Sequence, residues 1–206
     1  GDNSAIANLV AALNAAQPDE ADHYTWVASP DGQPIGTDAI TVGLIYRPAS
    51  VTPEGAASLI ELPVQQAEAQ DASGKPVAIK QGMRESLLQR FSSPKGDAPL
   101  TLVVNHLKSK GSACFEDYPD YATADPLDGQ GHCNALRVSA AKVLGEHLKD
   151  LAGDLLLIGD MNAYGMEDPI RVLTSYDPAA QPRQIMSASF TTLAGQPYEE
   201  SGSALG

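Results

Sequence analysis

Leu155-Leu156-Leu157-Ile158 is an unbroken apolar run, bounded by Gly153-Asp154 before it and Gly159-Asp160 after it. A strand with one wet face alternates apolar and polar positions, whereas a run without alternation predicts a central strand covered on both faces. Such a strand needs a layer above and a layer below. The chain is therefore expected to be a layered fold, α+β or α/β.

The flanking sequence supplies candidate layers. Ser4 to Ala16 reads as a helix, with Ile6, Leu9, Val10 and Leu13 on one face and Asn3 or Ser4 as its cap. Tyr24 to Val27 is a short strand candidate. Ile40 to Tyr46 alternates Ile40, Val42, Leu44 and Tyr46 on one side, and Pro48 ends it. The polar, Pro- and Ala-bearing stretch Thr52 to Gly74 reads mostly as loop. Val77 to Lys80, Arg84 to Phe91 and Leu100 to Leu107 read as strands. Lys108 to Gln130 reads as a long loop, Asn134 to Leu151 as a helix, and Asp168-Pro169 as the start of another. Strands dominate the first half and helices interleave later. The chain opens on Gly1-Asp2-Asn3-Ser4 and stops in Ser201-Gly202-Ser203-Ala204-Leu205-Gly206, and both ends read as cut.

The length of 206 residues fits one domain with a sizeable core, or two small ones, and no stretch approaches a membrane-spanning run. The net charge of −13 counts against a nucleic-acid partner, since phosphate binding normally draws on Lys and Arg. Cys114 and Cys133 bracket the loop rich in Asp, Pro, Gly and Tyr. They either close it as a disulfide, which would imply an oxidising compartment, or stand as unrelated thiols; the shared loop favours the disulfide. Adjacent His132 does not make a zinc site without a CxxC pair.

Chemistry-bearing residues gather at predicted strand ends. His106 ends its strand on the face of Leu102 and Val104, where a core role competes with a functional one. The following Lys108, Ser109, Lys110 and Gly111 could hold an anion. Asp160 and Asn162 follow the apolar run; a carboxylate and an amide there could hold a divalent cation or position water, and they are equally turn residues. Tyr46-Arg47 ends one strand and Arg84 begins another, and a phenol with a guanidinium can grip a phosphate oxygen.

Together, Asn105-His106-Leu107-Lys108-Ser109-Lys110-Gly111 and Gly159-Asp160-Met161-Asn162 resemble the endonuclease/exonuclease/phosphatase superfamily, which includes pancreatic-type deoxyribonuclease and the abasic-site endonucleases. The chain is most similar to its secreted bacterial nucleases. Asp128-Gly129-Gln130-Gly131-His132-Cys133-Asn134 with Arg137 resembles their cysteine-containing loop, and Val42 to Pro48 and Met83-Arg84-Glu85-Ser86-Leu87 resemble two of their strands. The resemblance implies a four-layer α/β/β/α sandwich, incomplete at both ends. It implies phosphodiester hydrolysis with Mg²⁺, or Mn²⁺ or Ca²⁺, outside the cytoplasm (extracellular or periplasmic). The absence of a spanning run leads to no expected membrane partner, and the oligomeric state stays open, a monomer being the expectation. The resemblance assigns Asp160 to the attacking water and the metal. Asn162 goes to metal, phosphate or that water, and His106 to the pentacovalent phosphate. Tyr46 and Arg84 contact phosphate oxygens, and Arg47, Lys108, Lys110, Asn134 and Arg137 bind substrate. It also places a metal-binding Glu before Gly1 and an Asp-His pair after Gly206. DNA is the expected substrate. A phosphatase of inositol phosphates or phospholipid headgroups and a non-catalytic module are the alternatives. On the nuclease reading, the acidic charge predicts weak, cation-dependent substrate binding rather than none.

Overall fold

A computed structural model describes residues 4–32, 35–36, 40–96, 98–118 and 129–175. The described chain is mixed α/β. Its central sheet has five strands. β7 (Ser86–Ser92) pairs antiparallel with β8 (Leu100–His106), and β8 pairs parallel with β9 (Asp154–Asp160). On its other edge β7 takes two short strands in succession, β3 (Thr52–Pro53) and β4 (Ser58–Ile60). A parallel pair needs a crossover, and the helix α2 (Asn134–Leu148) lies within the one joining β8 to β9.

The two faces of this sheet carry separate cores. On one side Val103, Leu107 and Leu157 pack with Ala140, Ala141, Leu144 and Leu148 of α2, and with Leu173 of α3 (Asp168–Ser175). On the other, Leu87, Phe91 and Val104 pack with Val27, Ile35, Val42 and Leu44. Those last residues flank the two-stranded sheet of β1 (Thr25–Trp26) and β2 (Ile45–Tyr46). Helix α1 (Ala5–Ala15) covers the outside of this second sheet. A Cβ built on Gly43 would sit 2.9 Å from the Ile6 side chain, so a larger residue would push the helix away. Asn14 ties the end of α1 to β1, accepting from Tyr24 N at 2.7 Å and donating to Tyr24 O at 2.9 Å. Helix, sheet, sheet and helices thus stack in the expected four-layer order.

Three expectations change. The segment from Thr52 to Gly74 is not mostly loop: it holds β3, β4 and β5 (Gln65–Gln70), and β5 forms a hairpin with β6 (Pro76–Gln81). The inward positions of β5 include Ala67 and Ala69, whose small side chains hide the alternation in a polar segment. Ile40 to Tyr46 pairs as a strand only at Ile45–Tyr46, although Val42 and Leu44 still face the core. The apolar run of β9 does touch both cores, through Leu157 and Ile158, but β9 is the outer strand of the described sheet and β8 an inner one. Residues 119–128 of the expected loop, and everything expected after 175, lie outside the described residues.

Candidate active site

The parallel register of β8 and β9 sets His106 directly beside Asp160. His106 Nε2 lies 3.7 Å from Asp160 Oδ2, within reach of charge attraction but too far for a direct hydrogen bond. The imidazole is mostly covered, with 22% of its side chain exposed, while the carboxylate is 63% exposed. One group is held by the inter-sheet layer and the other opens to water.

The backbone around Asp160 is shaped to hold that arrangement. Gly159 has φ of 118°, and a Cβ there would fall 2.0 Å from the Asn105 carbonyl oxygen. Only glycine lets β9 come so close to β8 at this point. Leu107 N then donates to Asp160 O at 2.9 Å, extending the ladder past the strand end. Asn162 adopts the left-handed region, with φ of 47°, which asparagine tolerates. Its backbone N donates to Asp160 Oδ1 at 2.8 Å, and its side-chain Nδ2 donates to Leu107 O at 2.9 Å. The amide is thereby pinned to both strand ends, spending one N–H and keeping its oxygen available as an acceptor.

Below this pair is support that residue patterning did not single out. Asn105 is 1% exposed on the helix face. Its Oδ1 accepts from Ser86 Oγ at 2.6 Å, and its Nδ2 donates to Val103 O and Ile158 O, at 3.0 and 3.2 Å. One buried amide thus spans β7, β8 and β9 just under His106. The signal was a polar residue at the parity of buried Val103 and Leu107, which demands satisfied partners. Arg84 belongs to the same end of the sheet: it precedes β7 by two residues, and its Nε donates to the Ile40 carbonyl.

The other candidates lie elsewhere. The Tyr46 ring is 5.2 Å from Phe91, which pairs with Leu100 at the opposite end of β8. Leu100 and His106 are the two ends of that strand, about 20 Å apart at ~3.3 Å per residue. Tyr46 therefore packs into the core at the far end and does not join His106. Arg47 follows it there, 3.2 Å from Asp22 and 4.6 Å over the Tyr24 ring.

Arg137 was expected to bind substrate, but it is fully buried. Its guanidinium donates to the carbonyls of Lys108, His132 and Gln130, at 3.1, 2.6 and 3.0 Å. It ties the chain leaving His106 to the loop before α2. Lys110 is committed to Glu167, at 2.6 and 2.8 Å from its two oxygens. Asn134 donates to Asp168 at 3.3 Å and Gln130 reaches the same carboxylate at 2.9 Å, latching the loop to α3. Lys108 stays close to the site through its carbonyl contact with Arg137 and is half-buried.

Cys114 and Cys133 form a disulfide, with an S–S distance of 2.07 Å. Asp117 accepts from both cysteine N–H groups, at 2.8 and 2.9 Å, and lies 3.2 Å from His132. Among the described residues, Cys114, Asp117 and Cys133 are the one close cluster of three potential metal ligands, but both sulfurs are spent in the disulfide. Asp160 and Asn162 remain as hard oxygen donors. One carboxylate with an amide oxygen is a sparse set, of the kind Mg²⁺ accepts because it keeps several waters and takes substrate phosphates as ligands.

No protein-family model matches the chain, and no curated protein matches it. Among solved structures it is similar to the human Nocturnin catalytic domain with bound sulfate anion, at 13% identity and a TM-score of 0.47. That match covers 84% of this chain and 52% of the other, so the chain spans about half of that domain's length.

Proposed function

We propose that the chain belongs to a divalent-metal-dependent phosphodiester hydrolase of the endonuclease/exonuclease/phosphatase type, with its reaction centre at the His106–Asp160 end of the central sheet. The observation that carries this reading is the register that lays His106 beside Asp160, with 3.7 Å between them and no direct hydrogen bond joining the two. Asn162 and Arg84 stand at the same strand ends.

In this reading Asp160 Oδ2 accepts a proton from, or orients, the attacking water. Its Oδ1 is held by Asn162 N, so the carboxylate presents one fixed oxygen. His106 donates from Nε2 to a phosphate oxygen as charge develops there. Arg84 adds a second positive group, and Asn162 Oδ1 holds a cation or the water. Mg²⁺, Mn²⁺ or Ca²⁺, bound by Asp160 and Asn162, would supply Lewis-acid neutralisation of the phosphate. The disulfide supports an oxidising, extracytoplasmic location. Among the described residues no helix is long and apolar enough to cross a membrane.

DNA is the substrate favoured by the resemblance of the disulfide loop to those of secreted nucleases. A small phosphoester is the second reading. It is favoured because Arg47, Lys110 and Arg137 are tied to internal partners, which leaves few cations for a polyanion on a chain of charge −13. The test is Mg²⁺-dependent release of nucleotides from plasmid DNA against release of phosphate from small esters. It uses the 206-residue chain. Metal-dependent cleavage, abolished by chelation and by Asp160→Ala, is the expected result. Ligand binding indifferent to Asp160→Ala, with no cleavage, overturns the reading in favour of a non-catalytic module.

A further inference from the structure

The loop after β9 ends in an aromatic ring that the fold both exposes and holds still. Tyr164 lies four residues past Asp160 and is 75% exposed; Met166, two residues on, is 67% exposed. Two large apolar groups left in water, in the loop that begins with Asp160 and Asn162, are not explained by core packing.

Tyr164 is nevertheless not a loose loop residue. Its backbone N donates to Glu167 Oε2 at 3.2 Å, and its carbonyl accepts from Glu167 N at 2.9 Å. Glu167 is 8% exposed and takes the Lys110 ammonium on both oxygens. That same ammonium sits 4.4 Å from the centre of the Tyr164 ring. A partly buried ion pair therefore fixes the backbone under the ring and covers one of its faces with a cation. It also joins the loop that follows His106 to the loop that follows Asp160. An aromatic side chain held this way loses little freedom when a flat partner lands on its open face. The ring also keeps its negative π-face partly compensated from below by Lys110.

We propose that Tyr164 is a stacking platform for a nucleobase next to the phosphate held at His106 and Asp160. The ligand is then a nucleic-acid strand with an unpaired or splayed base, not a small phosphoester. The inference rests on the phosphodiesterase reading above and settles the substrate class within it. It also supplies affinity that an acidic chain lacks: stacking on an aromatic ring is indifferent to net charge, whereas backbone contacts need free cations. Lys110, expected to meet phosphate itself, acts here by bracing the ring.

Equilibrium binding separates the possibilities. A short labelled oligothymidylate and an abasic sugar-phosphate oligomer of equal length, both with hydrolysis-resistant phosphorothioate linkages so that Asp160 stays intact, are titrated in Mg²⁺. The oligothymidylate is expected to bind about tenfold more tightly, the margin one stacked base contributes. Tyr164→Phe keeps that margin because the ring is retained, and Tyr164→Ala removes it while leaving abasic binding unchanged. An undiminished margin in Tyr164→Ala overturns the platform, as does loss of the margin in Tyr164→Phe. Equal binding of both oligomers to the unmodified ring overturns this proposal alone. No binding of either oligomer overturns it together with the phosphodiesterase reading.

Discussion

The two ends of the inter-sheet layer hold similar residue types and differ in what they do with them. At one end Tyr46 packs onto Phe91, while Arg47 pairs with the half-exposed Asp22 and lies over the Tyr24 ring. At the other, His106, Asp160 and Asn162 meet at the ends of β8 and β9, with Asp160 largely exposed, and Arg84 stands two residues before β7. A polar group becomes available for chemistry when the backbone around it has satisfied its own needs and its side chain still faces water. At the His106 end, Gly159, Asn105 and the Asn162 amide meet those needs. At the Tyr46 end the Arg47 guanidinium is committed to Asp22 and to the Tyr24 ring.

The sharpest way to break this contrast is catalytic. Removing a group that stabilises developing charge costs about 10²–10³-fold in rate. His106→Ala should lower metal-dependent phosphodiester hydrolysis by about that factor, whereas Tyr46→Phe should leave it within about twofold. Steady-state hydrolysis of both variants checks this, and a large loss in Tyr46→Phe would erase the distinction between the ends.

Stability probes the scaffold beneath the site. Gly159→Ala would force a Cβ to within 2.0 Å of the Asn105 oxygen at a φ of 118°. A cost above about 3 kcal/mol is expected, since strain and separation of β8 from β9 add together. Urea denaturation followed by circular dichroism measures it, and a near-neutral result would mean that the strand ends are less closely apposed than described. Replacing Cys114 and Cys133 with Ser opens the loop that Arg137 ties to Lys108. About 3 kcal/mol of stability should be lost, and the loss should match the effect of a reductant on the unmodified chain.

The smallest effect lies in the β5–β6 hairpin, far from both ends in role. Asp71 accepts from Ser73 Oγ at 2.6 Å, from Lys75 N at 3.0 Å and from Ser73 N at 2.8 Å. These bonds, the Ser73 hydroxyl first, hold its carboxyl below its ordinary value of 3.8. A lowered folded-state value means the contribution is present above 3.8 and is lost as pH falls through the lowered value. Protection of the turn amides, taken relative to their intrinsic exchange rates at each pH, should therefore fall in acid, while that of β8 is kept. In Asp71→Asn this acid-dependent fall should disappear.

Patterning reached the layers because burial leaves a period in sequence. The alternation of Leu102, Val104 and His106 and the run Leu155 to Ile158 correctly named faces. It failed where side chains were small, as in β5, and where face was known but position along the strand was not, as with Tyr46. Asn105 escaped notice because its partners come from three strands, and Arg137, assigned to substrate by the resemblance of its loop, is buried.

By itself, the sequence determined the alternation of buried faces, the glycine that β9 requires, the cysteine-bracketed loop and the two polar strand ends. Tertiary structure alone decided which of those ends meet. That depends on register: the parallel ladder of β8 and β9 sets residue 106 against 160, and a slip of one position would part them. It also decided which cations remain for a substrate, because an ion pair such as Lys110–Glu167 joins residues far apart in the chain. Local periodicity carries the solvent-facing period of each element, but no information about which distant charge will neutralise it.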